Sequence, residues 1–290
     1  MPMALRFART AVLALAIAAA GCSSGGRGPI AAPPTMAPSG PAADDGTAAP
    51  TPAPSVSDEL RTTRPSGAPS ARAYGRWGRP VLYDDFGSDR LDPRKWQVYD
   101  APNALSHPGS PAGVHVANGR LRLVGGLYDG KDQSAGVVSR LAQTYGRWEA
   151  RIRADRGSGY SATAFLWPTR LGAPEFAEID FAEIIDGTRR TGGLFIHHGA
   201  DDRQLAKIAR VDFTRWHTVA VDWLPQKLTF WVDGKAVWTY EGPYVPKQAD
   251  MHLNLRNETA DGFHRMADTP QRVTMEVDWI RVFRAPGINR

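Results

Sequence analysis

The segment that most restricts the fold is residues 178–183, which read Glu-Ile-Asp-Phe-Ala-Glu. It combines the apolar flanks of a buried β-strand with three carboxylates within six residues. A buried carboxylate needs a partner or loses its charge, so this charge density is costly in an ordinary core strand. Because side chains alternate between the two faces of a strand, one face must pack on a core while the other carries the acids.

Regular alternation keeps Glu178 and Asp180 on one face but turns Glu183 to the other. One additional residue at Phe181–Ala182, a β-bulge, returns Glu183 to the acidic face. The two glutamates are then roughly 13 Å apart between Cα atoms, and their side chains can lean together. Cleavage of a glycosidic bond needs two carboxyl groups, about 5–5.5 Å apart when configuration is retained. The alternative, a solvated edge strand, is disfavoured by the apolar flank at 164–168.

From about residue 76 onward the chain alternates like a series of short strands with turn residues between them. An Asn118-Gly119 pair predicts a tight hairpin turn, and no stretch has a long apolar stripe of helical period. We therefore predict an all-β domain over 76–290, built as a two-sheet β-sandwich. The clearest strand patterns are at 114–124, 147–153, 217–223, 227–232, 235–240 and 273–283.

The N-terminal part has a different composition. Residues 1–21 have the basic start and short apolar run of an export signal peptide. Small residues before Cys22 resemble the cleavage site of a bacterial lipoprotein, which implies lipid attachment to that thiol; the alternative is an ordinary secretory signal. Cys22 is the only cysteine, so no intrachain disulfide can form. Residues 22–75 are rich in Ala, Pro and Ser and predict a disordered tether.

The distribution of charge indicates which classes of binding partner to expect. The formal net charge is +5, but the basic residues are scattered rather than clustered with aromatic ones, so we expect no nucleic-acid binding. We expect a monomer whose partners are a polysaccharide and, through the lipid anchor, a membrane. The expected location is the outward-facing side of the cell envelope, with secretion as the alternative.

The folded part resembles glycoside hydrolase family 16, the laminarinase and licheninase group. The segment 178–183 matches the family's E-x-D-x-x-E signature in its bulged form, and the closing strand at 277–282 matches its last strand. The resemblance implies a concanavalin-like jelly roll with a concave substrate groove. It also implies that Glu178 is the nucleophile, Glu183 the acid/base, and Asp180 the residue that orients the pair.

Several side chains are candidates for binding the sugar. Trp167 and Tyr160 could stack on pyranose rings, although core packing is the alternative for Trp167. His197 ends a strand where the family often has a histidine, and we expect it beside Glu183. In residues 251–256 apolar and polar side chains alternate, which places three polar ones on a groove floor or, alternatively, on a wet outer face: His252, Asn254 and Arg256.

The resemblance also implies a structural Ca²⁺ between the first and last strands, for which Asp85 and Asp278 are the expected ligands. No cofactor is expected for catalysis. The leading hypothesis is a retaining, endo-acting glycoside hydrolase that cleaves a β-linked polysaccharide, with β-glucan as the first candidate. Two alternatives stay open: a transglycosylase of the same fold, and a glycan-binding surface lipoprotein without catalysis.

Overall fold

The computed structural model describes residues 75–104, 106–170, 177–199, 201–247, 250–260 and 264–288. They belong to the larger of two units of the chain, Ser66–Arg290. The predicted signal peptide at 1–21, the anchor Cys22 and the tether up to residue 74 lie outside the described residues. In the described ranges, no helix has the length and hydropathy needed to cross a membrane.

β-strands dominate the described part of the chain, and helix is limited to 3-10 turns such as Pro111–Gly113. The strands are β1 Leu82–Asp84, β2 Trp96–Val98, β3 Val114–Ala117, β4 Arg120–Tyr128, β5 Lys131–Gln133, β6 Ala135–Gln143, β7 Gly146–Ala154, β8 Tyr160–Pro168, β9 Ala177–Ile184, β10 Thr191–His198, β11 Arg203–Arg210, β12 His217–Leu224, β13 Lys227–Val232, β14 Lys235–Tyr240, β15 Met251–Thr259 and β16 Arg272–Arg284.

The strands form two antiparallel sheets. The first sheet has the order β14-β13-β12-β7-β16-β4-β3, with β1 also pairing with β16 and β5 with β4. The second sheet has the order β11-β10-β9-β8-β15-β6-β2. Strands that are distant in sequence lie side by side in both sheets, as in a jelly roll. The predicted all-β, two-sheet sandwich is confirmed.

The core lies between the sheets and is built from the alternate apolar residues of both. In β15, Met251, Leu253 and Leu255 are fully buried, as their spacing predicts. In the first sheet, the rings of Trp148 and Trp223 stack with centroids 5.9 Å apart. Asn257 joins the layers, because its Nδ2 donates to backbone carbonyl oxygens of the first sheet.

A fully buried arginine secures the turn that follows β9. Arg189 donates from Nε to the carbonyl oxygen of Asp155 at 2.8 Å. Its Nη1 donates to the carbonyl oxygens of Tyr160 at 2.8 Å and of Ile184 at 2.5 Å. Burial lowers the pKa of Arg189 to about 10, so the guanidinium stays charged at neutral pH. One side chain thus ties together the end of β9, the start of β8 and the segment before it.

We expect the substitution Arg189→Met to lower the free energy of unfolding by at least about 2 kcal/mol, because three carbonyl oxygens lose a buried donor. Urea denaturation followed by tryptophan fluorescence measures the change. The matched control is Arg190→Met, since Arg190 is the exposed neighbour and should change stability by less than about 0.5 kcal/mol. Equal effects of the two substitutions would contradict the role assigned to Arg189.

Candidate active site

Strand β9 contains the bulge that the sequence predicts. Glu183 pairs with Gly193 of β10, and Asp180 pairs with Phe195. Three residue steps on β9 therefore face two steps on β10, and the register with β8 shifts at the same place. The additional residue lies at Phe181–Ala182, as expected.

The bulge sorts the side chains of β9 onto two faces. Ile179, Phe181, Ala182 and Ile184 all belong to the core between the sheets and are at most 1% exposed. The intervening side chains therefore project from the opposite side of the second sheet, which we call the acid face. Glu178 is 9% exposed and Asp180 is 6% exposed, so both are largely buried on this face. Glu183 is half-buried.

Neighbouring strands extend the acid face with the predicted polar residues. Glu183 pairs with Thr163 of β8, which in turn pairs with Arg256 of β15. In the next row, Asp180 is connected through Phe165 of β8 to Asn254 of β15. Directly paired residues project from the same face of a sheet. The side chains of Arg256 and Asn254 therefore share a face with the carboxylates rather than lying on an unrelated outer surface.

Trp167 and His252 also lie on this face. They pair with each other across β8 and β15, and Trp167 is half-buried. The Trp167 ring meets the Phe165 ring edge to face, with centroids 6.2 Å apart. His252 donates from Nδ1 to the carbonyl oxygen of Ser139 at 2.7 Å, so part of its hydrogen-bonding capacity supports the sheet.

Arg256 is held by aromatic rings that the sequence did not point to. Its guanidinium lies 4.3 Å from the Tyr99 ring centroid and 5.3 Å from that of Phe165. Its Nη1 is 3.4 Å from a carboxylate oxygen of Glu258, and among the described residues its buried Nε has no hydrogen-bond acceptor. The Arg256 side chain as a whole is 17% exposed, so its guanidinium is a charged donor that a ligand can reach in the row of Glu183.

The position of His197 differs from the prediction. It pairs with Glu178 across β9 and β10, and its Nε2 is 3.1 Å from a carboxylate oxygen of Asp180. Its Nδ1 is 2.9 Å from a carboxylate oxygen of Asp202. Burial alone lowers the pKa of His197, but the two hydrogen bonds and the charges of Asp180 and Glu178 raise it to about 11. The ring belongs to the Glu178 and Asp180 side of the bulge, not beside Glu183, because the bulge separates those rows.

The raised pKa of His197 predicts a pH-dependent contribution to stability. An unfolded histidine has a pKa near 6.5, so the stabilisation by protonated His197 is complete below about pH 6.5 and is lost as the pH rises toward 11. We expect the difference in unfolding free energy between the wild type and His197→Gln to shrink between pH 6 and pH 9. Urea denaturation at both pH values measures it, and a difference that is constant with pH would contradict the assignment.

Tyr160 does not lie on the acid face, which corrects the expectation that it stacks on a sugar. It lies on the same side of β8 as the core residues Ala162 and Ala164 and is fully buried. Its hydroxyl donates to the carboxylate of Asp132, which Arg265 also contacts. The ring is therefore enclosed by protein, and the preceding glycine serves the turn rather than the approach of a ligand.

The two predicted calcium ligands, Asp85 and Asp278, each contact other groups of the protein. Asp278 accepts a hydrogen bond from Arg151 at 2.7 Å, so a guanidinium occupies the position of a cation. The carboxylate of Asp85 accepts from the backbone N–H of Gly87 and from the hydroxyl of Tyr83. Within the ranges the structure covers, no group of three or more His, Cys, Asp or Glu side chains is placed to hold a metal ion. Asp278 thus already has a cationic partner, and calcium binding stays an expectation from the resemblance.

Comparison with known proteins agrees with this architecture. The model of the family described as glycosyl hydrolases family 16 matches residues 113–281. A β-glucanase of Rhodothermus marinus is 26% identical over 226 residues, which cover 68% of this chain and 74% of that protein. A β-glucanase of Acetivibrio thermocellus is 23% identical over 181 residues, which cover 60% of this chain. The chain spans only about half of the latter protein's length, 53%.

Solved structures show the same fold. The laminarinase from Rhodothermus marinus superposes with a TM-score of 0.62 and 22% sequence identity, covering 71% of this chain and 96% of that one. The catalytic domain of an endo-1,3-β-glucanase (laminarinase) from Thermotoga petrophila also has a TM-score of 0.62, with 18% identity, and covers 71% of this chain and 97% of that one. Each match covers nearly the whole of the solved laminarinase structure, so this chain shares the fold of both laminarinases.

Proposed function

The chain belongs to glycosyl hydrolases family 16, whose model matches more than half of it, and we propose that it is an endo-acting glycoside hydrolase that cleaves β-glucan with retention of configuration. The observation that carries the proposal is the bulge in β9, which brings Glu178, Asp180 and Glu183 to one face of the sheet. A structural strand gains nothing from three neighbouring carboxylates, whereas glycoside cleavage requires a pair of them.

The proposed reaction proceeds by two displacements. In the first, a carboxylate oxygen of Glu178 bonds to the anomeric carbon while the bond to the leaving oxygen breaks, and Glu183 gives its proton to that oxygen. In the second, Glu183 takes a proton from water, the water oxygen bonds to the anomeric carbon, and Glu178 is released as a carboxylate. Two displacements at one carbon restore the original configuration.

Asp180 lies between the two glutamates and has a different role in this proposal. It accepts a hydrogen bond from His197, whose positive charge offsets part of the negative charge on the acid face. Like charges this close cannot all ionise freely, so a neighbouring cation helps to keep the nucleophile ionised. Asp180 and His197 therefore set the electrostatic environment of Glu178 rather than reacting themselves.

The proposed substrate is β-glucan, supported by the names of the relatives, which are β-glucanases and laminarinases. Trp167 offers an aromatic surface for a pyranose ring, with His252 paired to it in the same row. Arg256 and Asn254 offer polar groups in the rows of Glu183 and Asp180. Residues on a sheet face form an open row of contacts, which suits internal sites of an extended polymer better than chain ends.

The test is incubation of the full chain with laminarin, lichenan, soluble β-1,4-glucan and a β-galactan, followed by measurement of new reducing ends and of viscosity. An endo-acting enzyme lowers viscosity early, before many reducing ends appear. The proposal is wrong if no β-glucan yields more reducing ends than the Glu178→Gln variant does. Mass spectra of the products separate hydrolysis from transfer, since products longer than the starting oligosaccharide arise only by transfer.

The envelope location also stays a proposal. It is supported by the signal-like residues 1–21 and by Cys22, which would carry the lipid. In this arrangement residues 22–75 would act as a spacer between the membrane and the catalytic domain, giving it reach into surrounding glycan.

A further inference from the structure

Asp202 contacts the active-site histidine from the side away from the catalytic carboxylates. It lies in the turn between β10 and β11, and its carboxylate is 50% exposed. Asp202 Oδ1 is 2.9 Å from Nδ1 of His197, while Nε2 of the same ring is 3.1 Å from Asp180 Oδ2. The three side chains form a line from the protein surface to a carboxylate that is only 6% exposed.

The hydrogen-bond pattern assigns the charge of the ring. Ionised carboxylates accept hydrogen bonds and cannot donate them. Because both ring nitrogens of His197 meet a carboxylate oxygen, both must carry a proton, and the ring is an imidazolium. The residues paired with His197 on the neighbouring strands are Glu178 of β9 and the neutral Gln204 of β11, and the Phe195 ring centroid lies 5.9 Å from that of His197. The neighbouring Asp201 pairs instead with Arg203.

The turn holds Asp202 in place through its backbone. The residue has a left-handed φ of 51°, and its N–H donates to the carbonyl oxygen of Gly199 at 3.1 Å. Aspartate and asparagine tolerate this conformation better than most residues. This backbone conformation presents the Asp202 carboxylate to His197, and asparagine can adopt the same conformation.

We propose that Asp202 is a positioning residue whose charge-assisted hydrogen bond fixes the ring of His197, so that Asp180 stays oriented between Glu178 and Glu183. Asp202 touches none of the reacting atoms and acts only through His197. The inference rests on the proposed function for its effect on catalysis. Its effect on the ring is independent of any activity.

The test compares the full chain carrying Asp202→Asn with a matched control, Asp201→Asn, which removes the neighbouring carboxylate of the same turn. The first measurement is the pKa of His197 by NMR of the imidazole ring, assigned by the signal lost in His197→Gln. Removing a half-exposed charge in contact with the ring should lower that pKa by about one unit. The control should leave it within a few tenths of a unit.

The second measurement is kinetics on the best β-glucan. We expect Asp202→Asn to lower kcat roughly three- to tenfold with KM unchanged, because the residue affects the catalytic carboxylates and not the binding of sugar. An unchanged pKa of His197 overturns the inference, and so does a lowered pKa with unchanged kcat. If the wild type cleaves no glycan, the proposed function fails, while the NMR result still decides whether Asp202 controls the ring.

Discussion

Replacement of Glu178 by glutamine should lower the rate of β-glucan cleavage by more than about a thousandfold. The amide nearly matches the carboxylate in size, so the sheet and its hydrogen bonds should persist. It cannot attack the anomeric carbon, however, because it lacks the negative charge of the nucleophile. The rate is measured as new reducing ends per enzyme over hours, with circular dichroism as the check of the fold.

The matched control is Glu149→Gln, an identical change in β7 of the first sheet. Glu149 is partly buried, and its carboxylate lies 3.7 Å from Arg147. Because it lies in the first sheet, whereas Glu178, Asp180 and Glu183 lie in the second, its loss should leave the cleavage rate within about twofold. Comparable activity of Glu178→Gln and this control would remove the basis for the proposed mechanism.

Azide distinguishes a nucleophile from a residue that merely supports the groove. In Glu178→Ala, the small anion can enter the space left by the carboxylate and attack an activated β-glycosyl fluoride directly. One displacement instead of two inverts the configuration, so the product should be an α-glycosyl azide. Recovery of activity without this product would assign the nucleophile to another residue.

The parts of the site that sequence predicts are those determined by strand periodicity. The alternation of Met251, Leu253 and Leu255 with polar residues placed one side of β15 in the core, as the structure bears out. The acids of β9 could be brought together only by an irregularity, and the position of that irregularity followed from which residues were apolar. Such local patterns predict which side chains face the core, because the alternation of buried and exposed positions is a property of each strand by itself.

The parts that sequence could not predict depend on contacts between distant segments. Tyr160 follows a glycine-containing turn, but its partner Asp132 lies 28 residues away in sequence. Tyr99 lies against Arg256 although 157 positions separate them in the printed sequence. Asp202 carries no motif, and only the geometry of the turn brings its carboxylate to His197. The pairing of Asp278 with Arg151 was hidden for the same reason, since a carboxylate alone does not reveal that an arginine lies against it.

Replacement of Glu183 by alanine should have an effect that depends on the leaving group, which distinguishes it from the loss of Glu178. Cleavage of β-glucan should fall by roughly 10²–10⁴-fold, because a sugar hydroxyl leaves poorly without a proton. With an aryl glycoside whose phenol is strongly acidic, the first step needs no proton, so a rapid burst of phenol should appear. Hydrolysis of the trapped intermediate then becomes slow, since no base activates water.

Azide should accelerate the second step of Glu183→Ala and give a β-glycosyl azide, the configuration opposite to that expected from Glu178→Ala. The pair of variants thus assigns each glutamate by the stereochemistry of its product rather than by loss of activity alone. The same product configuration from both variants would contradict the division of roles, as would a loss in Glu183→Ala that is equal for sugar and acidic phenol leaving groups. Two distinct results are expected because the proposed mechanism gives different roles to the two carboxylates, which lie in separate rows of the same face.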